Sequence, residues 1–545
     1  MTEPAVAPAR SDSVTDGLAI AAAIVAFGFL GSRLLGVLRT VAIAGAFGAS
    51  PELDAYNVAF RIPDLIFQVL AGATLGSAFI PVFARIARRD GDDSAWRLAS
   101  TVLNLVAGAT AILCVLAFLL APLLVPLTAP GLGEDVGRNA ELTDKAVKLT
   151  RLMLLSPLLF SVSGMVTGIL NGRQRFFLSA LAPMLYNVAI IFGAILLSGP
   201  WGVEGLAVGV VIGAALHLAI QLPGLLRERM RYSPSFDWRD PATREVARLM
   251  GPRVVGLAAA QVNFLVTIYF GSKIGSSAIS NLNYAWLLAG LPLALFGIAL
   301  STAVFPRLAG HAAEEDMTAL TQTISRVFRV IMFLTIPAAL GLALLRFPAT
   351  VVLLQRGEFS SADAAVTASA LGFYCLGIVP LAGIEIHSRG FYALGDTRTP
   401  VILAVLAVSL NFFLSAVLWQ RYEFRGLAFA VSASAWLEWL FLYVLYLGRT
   451  ATSPLPDLAA IARFAVCGAV MAFFLALALS LLDSSTRSQE VVIALAGAVA
   501  GGAVYAAMAN WLGVEELHEA ASRAFGRFRR GPDVGAPPEE LVAPL

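Results

Sequence analysis

The chain has 545 residues, of which 58% are apolar and 14% charged, with a formal net charge of +2. Soluble proteins carry about 25% charged residues, and a mean hydropathy of +0.79 needs apolar segments along the whole length. That excludes a soluble protein, whose surface must be covered by charge. Residues 1–16 are polar, lack the basic start of a signal peptide and read as a short disordered arm.

Each crossing of a bilayer needs about 20 mostly apolar residues. Breaks at polar or Gly-Pro positions predict fourteen spans, the first seven near 18–46, 54–84, 98–127, 147–170, 178–198, 203–226 and 246–271. The second seven fall near 278–306, 324–345, 364–388, 399–418, 427–447, 459–482 and 489–512. The expected fold is therefore an all-α polytopic membrane protein. From Glu515 the chain turns amphipathic and basic, and it ends in a Pro- and acid-rich stretch, so 513–545 reads as a cytoplasmic amphipathic and disordered tail.

Basic residues orient the spans. The connections at 85–97, 173–175 and 227–248 hold twelve arginines, while the opposite set holds only Arg138, Lys145 and Lys273. Both termini of this multi-pass chain are thus expected on the cytoplasmic side of its membrane. A weak internal repeat supports an even count: Gly31-Ser-Arg33 resembles Gly251-Pro-Arg253, Phe47-Gly48 resembles Phe270-Gly271, and Ile80-Pro81 resembles Phe305-Pro306. Arg175 to Asn187 likewise resembles Arg398 to Asn411. Six spans separate the copies, so the repeat is parallel. It predicts an N-lobe at 17–226, a C-lobe at 244–450 and two further helices at 459–512.

Ionisable groups inside spans are costly and mark pathways. Arg33 and Arg39 lie six apart on the first helix, about 120° apart around it and about 9 Å along it. Arg61 follows on the second helix, with Asp54 before it and Asp64 after it. Three cations with two acids suit an anionic, phosphate-bearing headgroup, because the rigid guanidinium fork bonds phosphate oxygens in pairs and keeps its proton. Asp54 fits a helix cap equally well, and Arg61 with Asp64 could be an internal pair. Glu385 and Glu438 are candidates for coupling to Na+ or H+. No Walker loop or nucleophile–base–acid set occurs, so a transporter without a catalytic site is expected. The four scattered histidines and three isolated cysteines suggest no metal centre, and no nucleic-acid partner or cofactor is expected.

Longer blocks carry a resemblance. They are Gly31-Ser-Arg-Leu-Leu-Gly-Val-Leu-Arg39, Phe47-Gly-Ala-Ser-Pro-Glu-Leu-Asp54, Val58-Ala-Phe-Arg-Ile-Pro63 and Ser77-Ala-Phe-Ile-Pro-Val-Phe83. Two more are Leu354-Gln-Arg-Gly-Glu-Phe359 and Arg389-Gly-Phe-Tyr-Ala-Leu-Gly-Asp-Thr-Arg-Thr-Pro400. Over residues 18–512 the chain resembles the MurJ/MviN family of bacterial lipid II flippases, in the superfamily of multidrug, oligosaccharidyl-lipid and polysaccharide exporters. The resemblance implies two six-helix lobes around a cavity, with the last two helices forming a groove for an isoprenoid tail. It implies movement of lipid II, an undecaprenyl-pyrophosphate-linked precursor, to the outer leaflet by alternating access in peptidoglycan biosynthesis. Arg33, Arg39, Arg61 and Asp54 fall on family substrate positions. Anionic membrane lipids and the peptidoglycan synthesis machinery are the expected partners of a monomer.

The chain departs from the family pattern at Thr40, Phe67, Gly72 and Leu287. Family acids stand at the first and third of these, and family cavity arginines at the second and fourth. Three alternatives therefore remain open: a flippase for another polyprenyl-pyrophosphate-linked sugar, an ion-coupled exporter of small molecules, and a non-transporting partner in envelope assembly.

Overall fold

The structure, a computed structural model, describes residues 11–72, 78–450, 455–482 and 486–518. Among these residues all regular structure is helical. The chain begins with α1 (Ser11–Phe47), α2 (Pro51–Phe67), α3 (Ile80–Arg89), α4 (Asp92–Thr128), α5 (Asn139–Met153) and α6 (Leu155–Gly172). Next come α7 (Phe176–Phe192), α8 (Ser198–Trp201), α9 (Val203–Ala219), α10 (Leu222–Arg227) and α11 (Pro241–Ile274). They are followed by α12 (Ala278–Pro292), α13 (Ala299–Ala313), α14 (Met317–Leu344), α15 (Arg346–Leu354), α16 (Ser361–Cys375) and α17 (Ile378–Ala393). The last three are α18 (Arg398–Thr450), α19 (Leu458–Leu481) and α20 (Arg487–Trp511).

The first helix starts at Ser11, inside the arm expected over 1–16. Residues 1–10 of that arm, and 519–545 of the expected tail, lie outside the described residues. Ten described helices are long and apolar enough to cross a membrane, or eleven with the pair α16 and α17, bent by 46°. This set does not contradict the expected fourteen spans, and α18 joins two of them across a kink at Glu423.

Burial along α4 shows what solvent these helices are built for. Cys114, Ala117, Ala121 and Val125 are buried, while Leu119, Leu123 and Leu127 are each more than 60% exposed. Small residues therefore face protein and large apolar ones face outward, the inverse of an amphipathic helix in water. Such a surface belongs in hydrocarbon, where close backbone approach rather than hydrophobicity drives helix association.

Contacts divide the chain into two units. The first holds residues up to Ser280 together with Arg356–Phe359, and the second holds Asn281–Gln355 and everything after Phe359. The first unit thus takes in α11, which the expected division at 226–244 assigned to the C-lobe. One of its cores gathers Phe83, Trp96, Met165, Ile169 and Val246 from α3, α4, α6 and α11, with Phe79 just before α3. In the second unit Phe328, Phe391, Tyr446 and Phe464 belong to one cluster, and the Phe333 ring of α14 packs at a tilt on Phe464 and Tyr505 of α19 and α20. The two final helices are therefore part of that unit's core.

Each unit repeats the same backbone devices. A π-helical turn at Gln68–Gly72 after α2 has its counterpart at Leu293–Ile298 after α12. Gly202 (φ 58°, ψ −138°) turns the chain between α8 and α9, and Glu423 (φ 47°, ψ −129°) makes the same turn within α18. Three residues on, a Cβ at Gly205 would stand 2.3 Å from the Leu197 carbonyl oxygen, and one at Gly426 would stand 2.8 Å from that of Leu418. Recurring Gly-Leu-Ala at 205–207 and 426–428 was the sequence signal for this pair.

Two blocks that carry the family resemblance are structural. Within the first unit the Glu358 amide donates to the Gly45 carbonyl oxygen (2.9 Å), and Gly357 (φ 56°) approaches so closely that a Cβ would lie 2.0 Å from that oxygen. In the second unit Asp396 caps α18, accepting from the amides of Arg398 and Thr399 at 2.9 and 3.0 Å and from the Thr399 hydroxyl at 2.6 Å. Partial burial pushes the Asp396 carboxyl up, but the Thr399 bonds and the Arg449 guanidinium outweigh it and hold it down at about 2.

Candidate functional site

The arginines of α1 and α2 are positioned by how α1 packs. Gly28 and Gly31 lie against Ala180 and Met184 of α7, and the Asn187 side chain donates to the Ser32 carbonyl oxygen (3.3 Å). That contact fixes the rotation of α1. Arg39 is half-buried and interacts electrostatically with Tyr56, Asp64 and Tyr186. Arg33, nearly two turns earlier, is exposed, with its guanidinium 5.2 Å from the Phe29 ring.

Arg61 and Asp64 form an ion pair at 3.8 Å, with side chains only 17% and 18% exposed. Asp64 also accepts from Gln68, at the start of the π turn. The Arg61 guanidinium lies 4.3 Å from the Phe264 ring of α11, a contact that attracts a cation to the ring face. Arg39, Arg61 and Asp64 thus make one cluster with more positive than negative charge. The 3.8 Å separation is long for a charge-assisted hydrogen bond, which leaves the Arg61 fork available to an anion.

An aromatic wall adjoins this cluster. Phe67 packs on Phe160 (4.9 Å between centroids), which meets Tyr186 edge-on (5.0 Å) and His217 (5.2 Å). Behind it the Ser163 hydroxyl lies 2.6 Å from His217 Nδ1, while Gln221 donates to Ser163 (2.8 Å) and accepts from Thr167 (2.8 Å). Phe67, which stands where the family has an arginine, is therefore integrated into apolar packing. Thr40 spends its hydroxyl on the Gly36 carbonyl oxygen of its own helix (3.2 Å).

Asp54 is elsewhere. It is 1% exposed and accepts from the Ser280 amide (2.7 Å), the Ser280 hydroxyl (2.5 Å) and the Ile279 amide (3.4 Å). It caps the first turn of α12, a distant helix, whereas the cap of its own helix, the role expected from the sequence, belongs to Ser50. In the second unit Glu385 pairs with Arg389 (2.5 Å), which also donates to Thr302 (2.9 Å). Glu438 is within electrostatic reach of Glu385. Leu287 is half-buried on α12 beside Trp286, whose ring meets Tyr374 at 5.4 Å.

Sequence reasoning missed Tyr56, Tyr186, Phe160 and Phe264, because their approach depends on helix rotation. It also missed Arg389, although a Glu four residues before an Arg on one helix is a legible signal.

The family described as Lipid II flippase MurJ matches residues 43–499. The lipid II flippase MurJ of Burkholderia cenocepacia is 32% identical over 419 residues, covering 76% of this chain and 80% of that protein. A probable lipid II flippase MurJ of Vibrio cholerae is 31% identical over 458 residues, covering 81% and 85%. A solved structure of lipid II flippase MurJ in an inward closed conformation aligns with a TM-score of 0.75 at 23% identity, covering 93% of this chain and 99% of that one. A multidrug resistance MATE family transporter of the MOP superfamily, inward-facing, aligns at 0.63 with 16% identity, covering 77% and 94%. The two structural likenesses carry the fold alone.

Proposed function

The chain belongs to the MurJ family of lipid II flippases, and from that premise we propose that it moves lipid II from the cytoplasmic to the outer leaflet by alternating access. The observation that carries the site assignment is the half-buried cluster of Arg39 and Arg61 with Asp64. The pyrophosphate binds there, where two guanidiniums face a single carboxylate, and Arg33 on the exposed face of α1 meets it on the way. Low dielectric strengthens each of these charge-assisted bonds relative to water. Phe67 and Tyr186 offer ring faces to the attached sugar. Asp54 serves indirectly, by fixing the start of α12.

The isoprenoid chain has a matching place in the second unit. A cavity of about 420 Å³ is lined by Leu288, Pro337, Leu345, Met471, Leu475 and Gly501, from α12, α14, α19 and α20. Its walls are apolar, as a hydrocarbon tail requires. Both termini lie in the cytoplasm and the protein spans the bacterial inner membrane, in keeping with the distribution of its arginines. The transport step draws on Na+ or H+ through Glu438, which shares its surroundings with the Glu385–Arg389 pair. Glu438→Gln is expected to abolish the dependence of flipping on an ion gradient.

The decisive test is growth of cells depleted of their own flippase. Arg39→Ala and Arg33→Ala, made at normal levels, should fail to support it, and reconstituted vesicles should show at least about a tenfold loss of lipid II flipping, as expected when a charged contact to a buried anion is removed. Growth at the wild-type rate with both variants would sink the reading. Phe67 favours a second reading, in which another polyprenyl-pyrophosphate-linked sugar is carried. Faster flipping of such a lipid than of lipid II in the same vesicles would select it.

A further inference from the structure

The second unit contains a cavity of about 530 Å³ where α15, α16 and the turn inside α18 meet. Arg346 and Arg425 stand on its wall with Ser369, Gly372, Phe347 and Phe373, and no carboxylate lines it. Neither arginine makes an ion pair among the described residues. Arg346 gives one Nη1 bond to the Ala343 carbonyl oxygen (3.1 Å), which leaves most of its five donors unused. Gly372 makes room for it: a Cβ there would stand 3.1 Å from Arg346 Cδ and 3.4 Å from Nη1.

The fold does not require this charge. The repeat position of Arg425 in the first unit is Glu204, two residues after Gly202 as Arg425 is two after Glu423. The backbone turn is therefore indifferent to the sign of the charge, and a cation at 425 has another reason. The surroundings suggest one. Phe347 and Phe373 give the cavity an apolar side, Leu376 at its edge is half-exposed, and the Trp436 indole donates to the Leu376 carbonyl oxygen (2.9 Å). Tryptophan with one end wet and one apolar is the residue of the membrane–water interface. Two guanidiniums that line one cavity with two phenylalanines at that level match a phosphate attached to acyl chains.

We propose that this cavity binds the phosphate of an anionic phospholipid headgroup, at a site separate from the arginine cluster of the first unit. Free phosphate shares the chemistry, so the experiment distinguishes the two sources. The full-length protein, stripped of lipid in detergent, is titrated with phosphatidylglycerol, with phosphatidylcholine and with inorganic phosphate, and bound lipid is counted by native mass spectrometry. Wild type should retain phosphatidylglycerol over phosphatidylcholine, and Arg346→Gln with Arg425→Gln should weaken that retention about tenfold. Arg346→Lys with Arg425→Lys should fall between, because charge is kept and the fork is lost. Arg421→Gln, whose guanidinium lies over Tyr422 outside the cavity, should behave as wild type. The proposal is overturned if the double Gln variant binds as wild type, if Arg421→Gln loses as much, or if millimolar inorganic phosphate displaces the lipid.

Discussion

Helices α2 and α12 occupy equivalent places in the two halves of the repeat, yet they are started in different ways. The first is capped locally: the Ser50 hydroxyl accepts from the Leu53 amide (3.3 Å), and proline opens the helix. The second follows Gly275-Ser-Ser, where the Ser276 amide and hydroxyl are already committed to Asp135 (2.9 and 2.7 Å). Its first amides are satisfied instead by Asp54, over two hundred residues away in the chain. The turns at Gly202 and Glu423 make the same contrast, with one backbone shape built once from glycine and once from a residue that resists it. Repeats of this kind keep the backbone geometry that packing demands and let side-chain chemistry diverge around it.

Four sets of substitutions break or sharpen that comparison. The largest effect is expected at the paired close approaches, where Gly205→Leu and Gly426→Leu each force a side chain into a carbonyl and should cost about 3 kcal/mol. Thermal unfolding in detergent measures it, and a tolerated leucine at either site would break the equivalence. Asp54→Ala should cost about 2 kcal/mol, the penalty for orphaning buried donors at the start of α12, whereas Ser50→Ala at the start of α2 should cost about 1 kcal/mol. Glu423→Gly should stabilise by about 1 kcal/mol through relief of a conformation that glycine alone adopts freely, with Gly202→Glu moving the melting temperature the other way. The smallest effect is expected for Arg138→Ala. Its bonds to Glu52 (2.8 Å) and Glu141 (2.7 Å) are solvent-exposed, so water and salt screen them and the melting temperature should barely move.

The arginines themselves follow the same logic of divergence. The first unit gathers Arg39, Arg61 and Asp64 near the aromatic wall, while the second has Leu287 next in sequence to Trp286, whose ring meets Tyr374, and pairs Glu385 with Arg389. The buried arginine cluster therefore has no counterpart at these positions of the second unit. The lone acids expected at 385 and 438 prove to be one locality, with a cation already in it.

Composition and hydropathy alone determined that this chain lives in a bilayer as a bundle of helices, because an unpaired backbone amide in hydrocarbon is too costly for any other open structure. The repeat and the ion pair Arg61–Asp64 were legible too, since both depend on spacing along one chain. Tertiary structure alone decided that Asp54 is a cap for a distant helix, that Phe67 is packed into an aromatic wall, and that Tyr186 faces Arg39. Each of these depends on how neighbouring helices are rotated and how deeply they approach. In a membrane small residues such as Gly28, Gly31 and Gly205 set that approach, through contacts whose partners no local pattern names.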